Sequence, residues 1–206
     1  MGRIFLIRHG ATAWSYDDAR FCGSTDLELT EDGLRQAELL ADRLAAEPLA
    51  GVYATSLART HQTAKAIAAR HQLPVHVVPE LREADFGEWE GLNYEQIAER
   101  YPEVNAARVS NPADVAPPGG ENLNQVAARA VPALMALAER HRADGIAVVA
   151  HNTTNRVLLC HFLGVPLANY KRILQSPAAA NLLEFSEGTM RVIIINDTCH
   201  LGPRKG

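Results

Sequence analysis

The chain is poor in cysteine. It has three, Cys22, Cys160 and Cys199, scattered and odd in number, with no CxxC pair. That argues against a disulfide framework and against a cysteine-based zinc site, and it suits a reducing cytoplasm. No apolar stretch approaches the roughly 18 residues that a membrane span needs, so no membrane partner is expected. Positive charge is not in excess either: the formal net charge is −4, which removes the electrostatic basis for a nucleic-acid partner. No internal repeat and no interdomain linker is visible. A strand begins within three residues of Met1, which leaves no room for a signal peptide, and a cytoplasmic protein is expected. What is present is a core: hydrophobic residues make up 47% of 206 residues. One domain over residues 1–206 is expected, with a lid segment around residues 85–120.

Apolar runs alternate with helical patterns. Arg3–Ile7, Gly51–Ala54, Pro74–Val78 and Ile146–Ala150 read as strands. Thr30 is a candidate N-cap ahead of Glu31 and Asp32, and Leu34, Ala37, Leu40, Ala41 and Leu44 follow at helical spacing. Ser56 reads as the cap of a helix running to about Arg70, and Asn93 as the start of a short helix ending near Tyr101. Pro79–Leu92 has no period and reads as a loop. Pro102–Gly120 reads as the longest irregular stretch, of the kind that forms binding loops. A helical pattern from about Asn122 to Arg142 contains Pro132, which predicts a kink or a split. Another helix is expected over Thr153–Leu163. Asn181–Ser186 and Met190–Asn196 flank a Glu187-Gly188 turn as a hairpin, and Asp197–Gly206 reads as a loose tail. Strands alternating with helices predict an α/β fold, a three-layer α/β/α sandwich on a mostly parallel sheet.

Two strands hand over directly to histidine: Arg3–Ile7 leads into Arg8-His9-Gly10, and Ile146–Ala150 leads into His151. Ligands of open α/β sheets bind at the carboxyl ends of strands. If the two strands are neighbours, both imidazoles share one crevice. Arg8 presents a planar fork of donors suited to phosphate oxygens, and Gly10 would let the backbone approach a ligand closely. Arg59 falls in the first turn of a helix, against the helix dipole, which predicts an anionic partner. The loop Leu81–Gly91 is acidic and aromatic. A carboxylate held there in a partly apolar pocket can serve as general acid, but spacing alone does not separate Glu83 from Asp85, Glu88 or Glu90. Asn152, Thr153 and Thr154 follow His151 and offer capping side chains. The other six histidines share no spacing and read as surface or core residues. Two arginines, two histidines and a carboxylate, all just beyond strands, point to phosphoryl transfer. Cations stabilise the charge spread over the phosphoryl oxygens, one imidazole takes the group, and a carboxyl handles the protons.

In these residues the chain resembles the histidine phosphatase superfamily, the group that contains cofactor-dependent phosphoglycerate mutase. The blocks that carry the resemblance are Arg8–Thr12, Arg20–Asp26, Leu29–Gly33 with Gln36-Ala37, Ser56–Thr60 with Thr63-Ala64, Glu83 with Gly87, Glu90 and Gly91, Gly119–Glu121, and the strand before His151. The resemblance implies a phosphoglycerate mutase-like fold, catalytic roles for His9 as the phosphorylated nucleophile, Glu83 as proton donor and His151, and substrate-binding roles for Arg8, Ser15, Gly23, Arg59 and Asn152. It implies no metal and no cofactor. Two departures stand out: Ser15 where the family often carries asparagine, and Ala150-His151-Asn152 where Ser-His-Gly is common.

The short chain favours a phosphatase acting on a small phosphorylated metabolite. A phosphoglycerate mutase is the alternative, and a non-catalytic binding module the third reading. The segments Asn196–Leu201 and Leu158–Val165 are similar to metal-independent phosphoserine phosphatases, so phosphoserine is the preferred substrate, with α-ribazole phosphate and sugar phosphates as alternatives. That similarity also suggests a C-terminal tail folded over the pocket. Dimers are common in the family, which keeps a homodimer in view.

Overall fold

In the computed structural model, which describes residues 1–16 and 19–202, a six-stranded sheet carries the molecule. Its strands are β1 (Gly2–Arg8), β2 (Leu49–Ala54), β3 (Val75–Val77), β4 (Gly145–Ala150), β5 (Ala180–Ser186) and β6 (Thr189–Asp197), in the spatial order β3-β2-β4-β1-β5-β6. The first four strands in that order are parallel, and β5 and β6 run antiparallel to their neighbours. The expected mostly parallel sheet is therefore present, closed on one side by the expected hairpin.

Alternation along the strands sorts residues to two helical layers. Phe5, Ile7, Val52, Ala54, Ala147 and Val149 face α1 (Glu31–Leu44) and α2 (Ala58–His71). Ile4, Leu6, Tyr53, Ile146, Val148 and Ala150 face α5 (Leu123–Arg140) and α6 (Asn152–Leu163). β4 is buried at every position, as a central parallel strand covered on both faces requires. A third apolar cluster, centred on Phe86, Trp89, Ile97, Val126 and Leu159, roots α3 (Tyr94–Arg100) and α4 (Pro102–Ser110) beside α6.

Several local expectations hold. Thr30 caps α1, its Oγ1 accepting from Gly33 N at 3.1 Å. Asn93 and Asn122 each form reciprocal capping boxes with the glutamine three residues on.

Others need correction. Ser56 caps nothing. Leu57 is the N-cap of α2 and gives no side-chain bond, and Ala58 N instead donates to Asp26 Oδ1 at 2.7 Å. The stretch from Pro102 is not irregular throughout, because α4 occupies Pro102–Ser110. Pro102 sits in the first turn, where a missing N–H costs no hydrogen bond, so it starts the helix rather than breaking it. Pro132 does not split α5, which continues to Arg140. The tail is ordered further than expected: Asp197 is still in β6, bonded to Arg43 Nη2 at 2.6 Å, and Cys199–Leu201 forms a 3-10 turn. Residues 203–206 of that tail lie outside the described residues. Among the described residues no helix is long and apolar enough to cross a membrane.

Candidate active site

β1 and β4 are hydrogen-bonded neighbours in a register that sets Arg8 opposite Ala150. The next residue on each strand is therefore a histidine at the same sheet edge. His9 N donates to Ala150 O at 3.1 Å, and the two imidazoles meet edge to face with centroids 5.4 Å apart. His9 is 6% exposed and His151 is fully buried.

The tautomer of each ring follows from its partners. His9 Nδ1 lies 2.7 Å from Gly10 O. A carbonyl only accepts, so Nδ1 carries the hydrogen and the Nε2 lone pair is left free. His151 Nδ1 accepts from Arg59 Nε at 3.3 Å, so the neutral ring carries its hydrogen on Nε2, 3.0 Å from Thr55 Oγ1. Both imidazoles are held well below the usual 6.5. Burial is the main cause for each; Arg8 and then Arg59 add to it at His9, and Arg59 and then His9 at His151. Both rings are neutral at pH 7.

A cavity of about 170 Å³ opens over His9. Arg8, Thr12, Ser15, Glu83, Asn152, Thr153 and Arg156 supply most of its polar wall, and Trp14, Phe21, Phe86, Tyr94 and Tyr170 its aromatic wall. Arg8 Nη1 donates to Gln175 O at 2.7 Å, while its Nε is buried without a partner among the described residues. Burial lowers the Arg8 guanidinium to about 10, against the opposing pull of Glu83.

Glu83 is selected from the four candidate carboxylates by its anchors. It is 6% exposed. Its Oε1 accepts from Ala84 N at 2.9 Å and Thr154 N at 3.1 Å, and its Oε2 from Thr153 N at 3.0 Å. Two of these are free amides at the start of α6, where the helix dipole favours a carboxylate. Asp85 bonds Gly87 N, Glu88 bonds the Tyr101 hydroxyl, and Glu90 bonds Gly23 N and Thr25 N. None of those three lines the cavity.

The loop bearing Glu83 is in turn held by α5. Arg129 donates to the carbonyls of Glu80, Arg82 and Glu83 at 2.7–2.9 Å and forms a fork to Glu121. Burial raises the Glu121 carboxyl, but Arg129, the Asp85 amide and Arg82 outweigh it, and the group stays below the usual 4.5. Glu121 also closes the expected lid segment: its N donates to Asp85 O at 2.8 Å and its Oε2 accepts from Asp85 N at 3.0 Å. The two ends of that segment are stapled together.

The remaining expected residues fall into two sets. Ser15 and Asn152 line the cavity. Ser15 Oγ accepts from Thr12 N at 2.8 Å, and Asn152 Oδ1 is buried with no partner among the described residues. Gly23 and Arg59 do not line it. Gly23 N faces Glu90, and Gly23 O accepts from Arg59 Nη2 at 2.8 Å. Arg59, 1% exposed, places Nη1 on Thr25 O at 2.7 Å and Nε on His151. Its contacts in the structure are carbonyls and an imidazole rather than the anion its helix position predicts. Gly10 also needs a different explanation from close approach to a ligand. A Cβ there would meet Gly33 O at 2.5 Å, so Gly10 is needed where the β1 exit packs on the start of α1.

Sequence reasoning missed Arg156, Trp14, Tyr94 and Tyr170. Arg156 had a signal: it stands four residues beyond Asn152 on the same helix face. The aromatic residues had none. Cys22 lies on the wall, but burial pushes its thiol up to about 11, so it is not a thiolate at pH 7. Among the described residues no group of three or more His, Cys, Asp or Glu side chains gathers as a metal site would. Residues 197–202 do not reach the cavity wall, so the described part of the tail does not cover it.

Comparison with known proteins gives a family match and several relatives. The family model of the histidine phosphatase superfamily (branch 1) matches residues 4–198. Phosphoserine phosphatase 1 of Hydrogenobacter thermophilus is 34% identical over 202 residues, covering 98% of this chain and 95% of that protein. Metal-independent phosphoserine phosphatase of Arabidopsis thaliana is 37% identical over 187 residues, covering 89% and 73%. The solved structure of Bacillus stearothermophilus YhfR superposes with a TM-score of 0.90 at 28% identity, covering 98% of this chain and all of that one.

Proposed function

Because the chain belongs to the histidine phosphatase superfamily, and is thus a phosphoric monoester hydrolase acting on small phosphomonoesters, we propose that it hydrolyses phosphoserine through a phosphohistidine on His9, without a metal. The observation that carries the chemistry is the His9 ring. Its Nδ1–H is tied to Gly10 O, and its Nε2 lone pair is free beneath a cavity walled by Arg8 and Glu83.

In the first step Nε2 bonds to phosphorus and the P–O bond to the substrate alcohol breaks. Glu83 is the carboxyl group placed to give that oxygen its proton. In the second step Glu83 takes a proton from water, whose oxygen attacks phosphorus. The P–N bond breaks, orthophosphate leaves, and the neutral imidazole returns. Arg8 meets the developing phosphoryl charge directly. Arg59 and His151 act from behind: Arg59 adds to the burial and the Arg8 charge that keep the His9 ring neutral, and His151 packs edge to face against that ring. The substrate assignment is supported by the two phosphoserine phosphatases among the relatives and by the wall. Arg156 offers a cation to a carboxylate, and Asn152 Oδ1, without a partner among the described residues, is an acceptor for an ammonium.

A phosphate-release screen over about a dozen phosphomonoesters, with and without chelator, tests this. Phosphoserine is expected to show the highest kcat/KM, unchanged by chelator. Loss of turnover with chelator contradicts the metal-free scheme. Interconversion of 2- and 3-phosphoglycerate with little phosphate released points to a mutase instead.

A further inference from the structure

Beyond the cavity over His9 lies a second, smaller one of about 40 Å³. The two share Phe21, Tyr94 and Tyr170 as walls. Besides Arg8 and Arg20 on the first wall, three cations stand around these rings. Arg156 lines the first cavity, and its Nε is tied to Ile173 O at 2.8 Å. Lys171 and Arg108 line the second. The Lys171 ammonium lies 5.3 Å from the centre of the Tyr94 ring. Arg108 is 5% exposed, donates to Val115 O at 2.6 Å and lies 5.9 Å from the Trp89 ring centre.

Among the described residues no carboxylate pairs with any of the three, and Glu83 is the only acid on either cavity wall. Burial first, then Arg108 and Arg156, holds the Lys171 ammonium below its usual range. A buried guanidinium and an ammonium that no described carboxylate neutralises cost free energy unless something negative joins them. Other arginines do have carboxylate partners: Arg129 has Glu121, Arg70 has Glu38 and Asp42, and Arg43 has Asp197.

The geometry points to a second anion subsite: Arg156 and Lys171, with Arg108 adding positive potential from behind Trp89, bind a second anionic group on the alcohol portion of the substrate. The substrate class is then a phosphomonoester whose leaving group carries a carboxylate or another phosphate. The aromatic walls seat the carbon skeleton between the two anions. This rests on the proposed hydrolysis at His9, and it specifies what the far end of the substrate must be.

The test compares ligand pairs that differ in one anion. For the carboxylate arm these are phosphoserine with phosphoethanolamine, and 3-phosphoglycerate with glycerol 3-phosphate. For the phosphate arm they are glucose 1,6-bisphosphate with glucose 6-phosphate. Calorimetric Kd values are measured on the His9→Ala protein, and kcat/KM on the wild type. In at least one arm the dianionic member is expected to bind tenfold to a hundredfold more tightly, the range for hydrogen bonds to charged groups. Arg156→Leu and Lys171→Met are each expected to shrink that ratio at an unaltered melting temperature. Equal affinities within every pair overturn the subsite, as does a ratio that neither variant moves. Phosphate release without discrimination leaves the hydrolase reading standing and removes the subsite. Discrimination lost in both variants, with no phosphate released from any compound by the wild type, does the reverse.

Discussion

The floor and the mouth of the cavity are built on opposite terms. On the floor the two imidazoles and the carboxylate have assigned partners, while Arg8 Nε is left without one among the described residues. His9 Nδ1 has Gly10 O, His151 has Arg59 and Thr55, and the Glu83 carboxylate has three amides. At the mouth Tyr94 is 58% exposed, and Arg156 and Lys171 have no carboxylate partner among the described residues. A floor held this way presents one geometry to phosphorus whatever the alcohol. A mouth with one exposed ring, and with cations that no described carboxylate neutralises, leaves selection to whichever ligand supplies the missing contacts. Chemistry and selectivity are therefore assigned to different residues, and substitutions should separate them.

The largest effects belong to the floor. Glu83→Gln keeps the shape and removes the proton, and should slow phosphate release by roughly 10²–10⁴. Arg129→Met leaves the carboxylate in place but frees its loop from α5. A slowing by about 10² is expected from the lost positioning, with the pH profile of kcat altered, which a purely structural loss would not do. If Glu83→Gln acts on KM alone, the division between floor and mouth fails.

Next comes pH. The folded-state values of His9 and His151 lie below their unfolded value of 6.5. The unfolded chain therefore binds protons that the native state refuses. The stability these rings contribute is full above about pH 6.5 and is lost as pH falls below it, by up to about 1.4 kcal/mol per pH unit for each. Urea midpoints between pH 7 and pH 5 should fall, and less steeply in His9→Asn. A flat midpoint would mean that the floor is not buried as described.

The smallest effect is at the mouth. Tyr94→Ala removes one ring and its 5.3 Å contact with Lys171. A KM change of about two- to fivefold is expected, from the ~0.5–1 kcal/mol of an exposed cation–π contact, with a smaller change in kcat. A collapse of kcat would show that the ring belongs to the floor.

The same division explains what the sequence disclosed. The pair His9 and His151 was legible because two apolar runs ended in histidine and parallel neighbours share an edge. Glu83 was not separable from Asp85, Glu88 and Glu90, because the choice is made by Thr153 and Thr154, some 70 residues away in the chain. Arg59 was legible as a cation in the wrong place for a helix, but its partners are carbonyls of a loop that no local pattern reveals. Pro102 misled because proline both stops and starts helices, and position decides which. The mouth was hidden: Phe21, Tyr94 and Tyr170 come from three distant segments, and only packing brings them together.

Arg59 has one more consequence. Its guanidinium bridges the imidazole of His151 and the carbonyls of Gly23 and Thr25, so it works as a clasp. Because Arg59 does not line the cavity, its grip reaches the reacting centre only through the His151 ring, which packs on His9. A change that unfastens segment 22–25 therefore reaches the imidazole pair without touching the ligand.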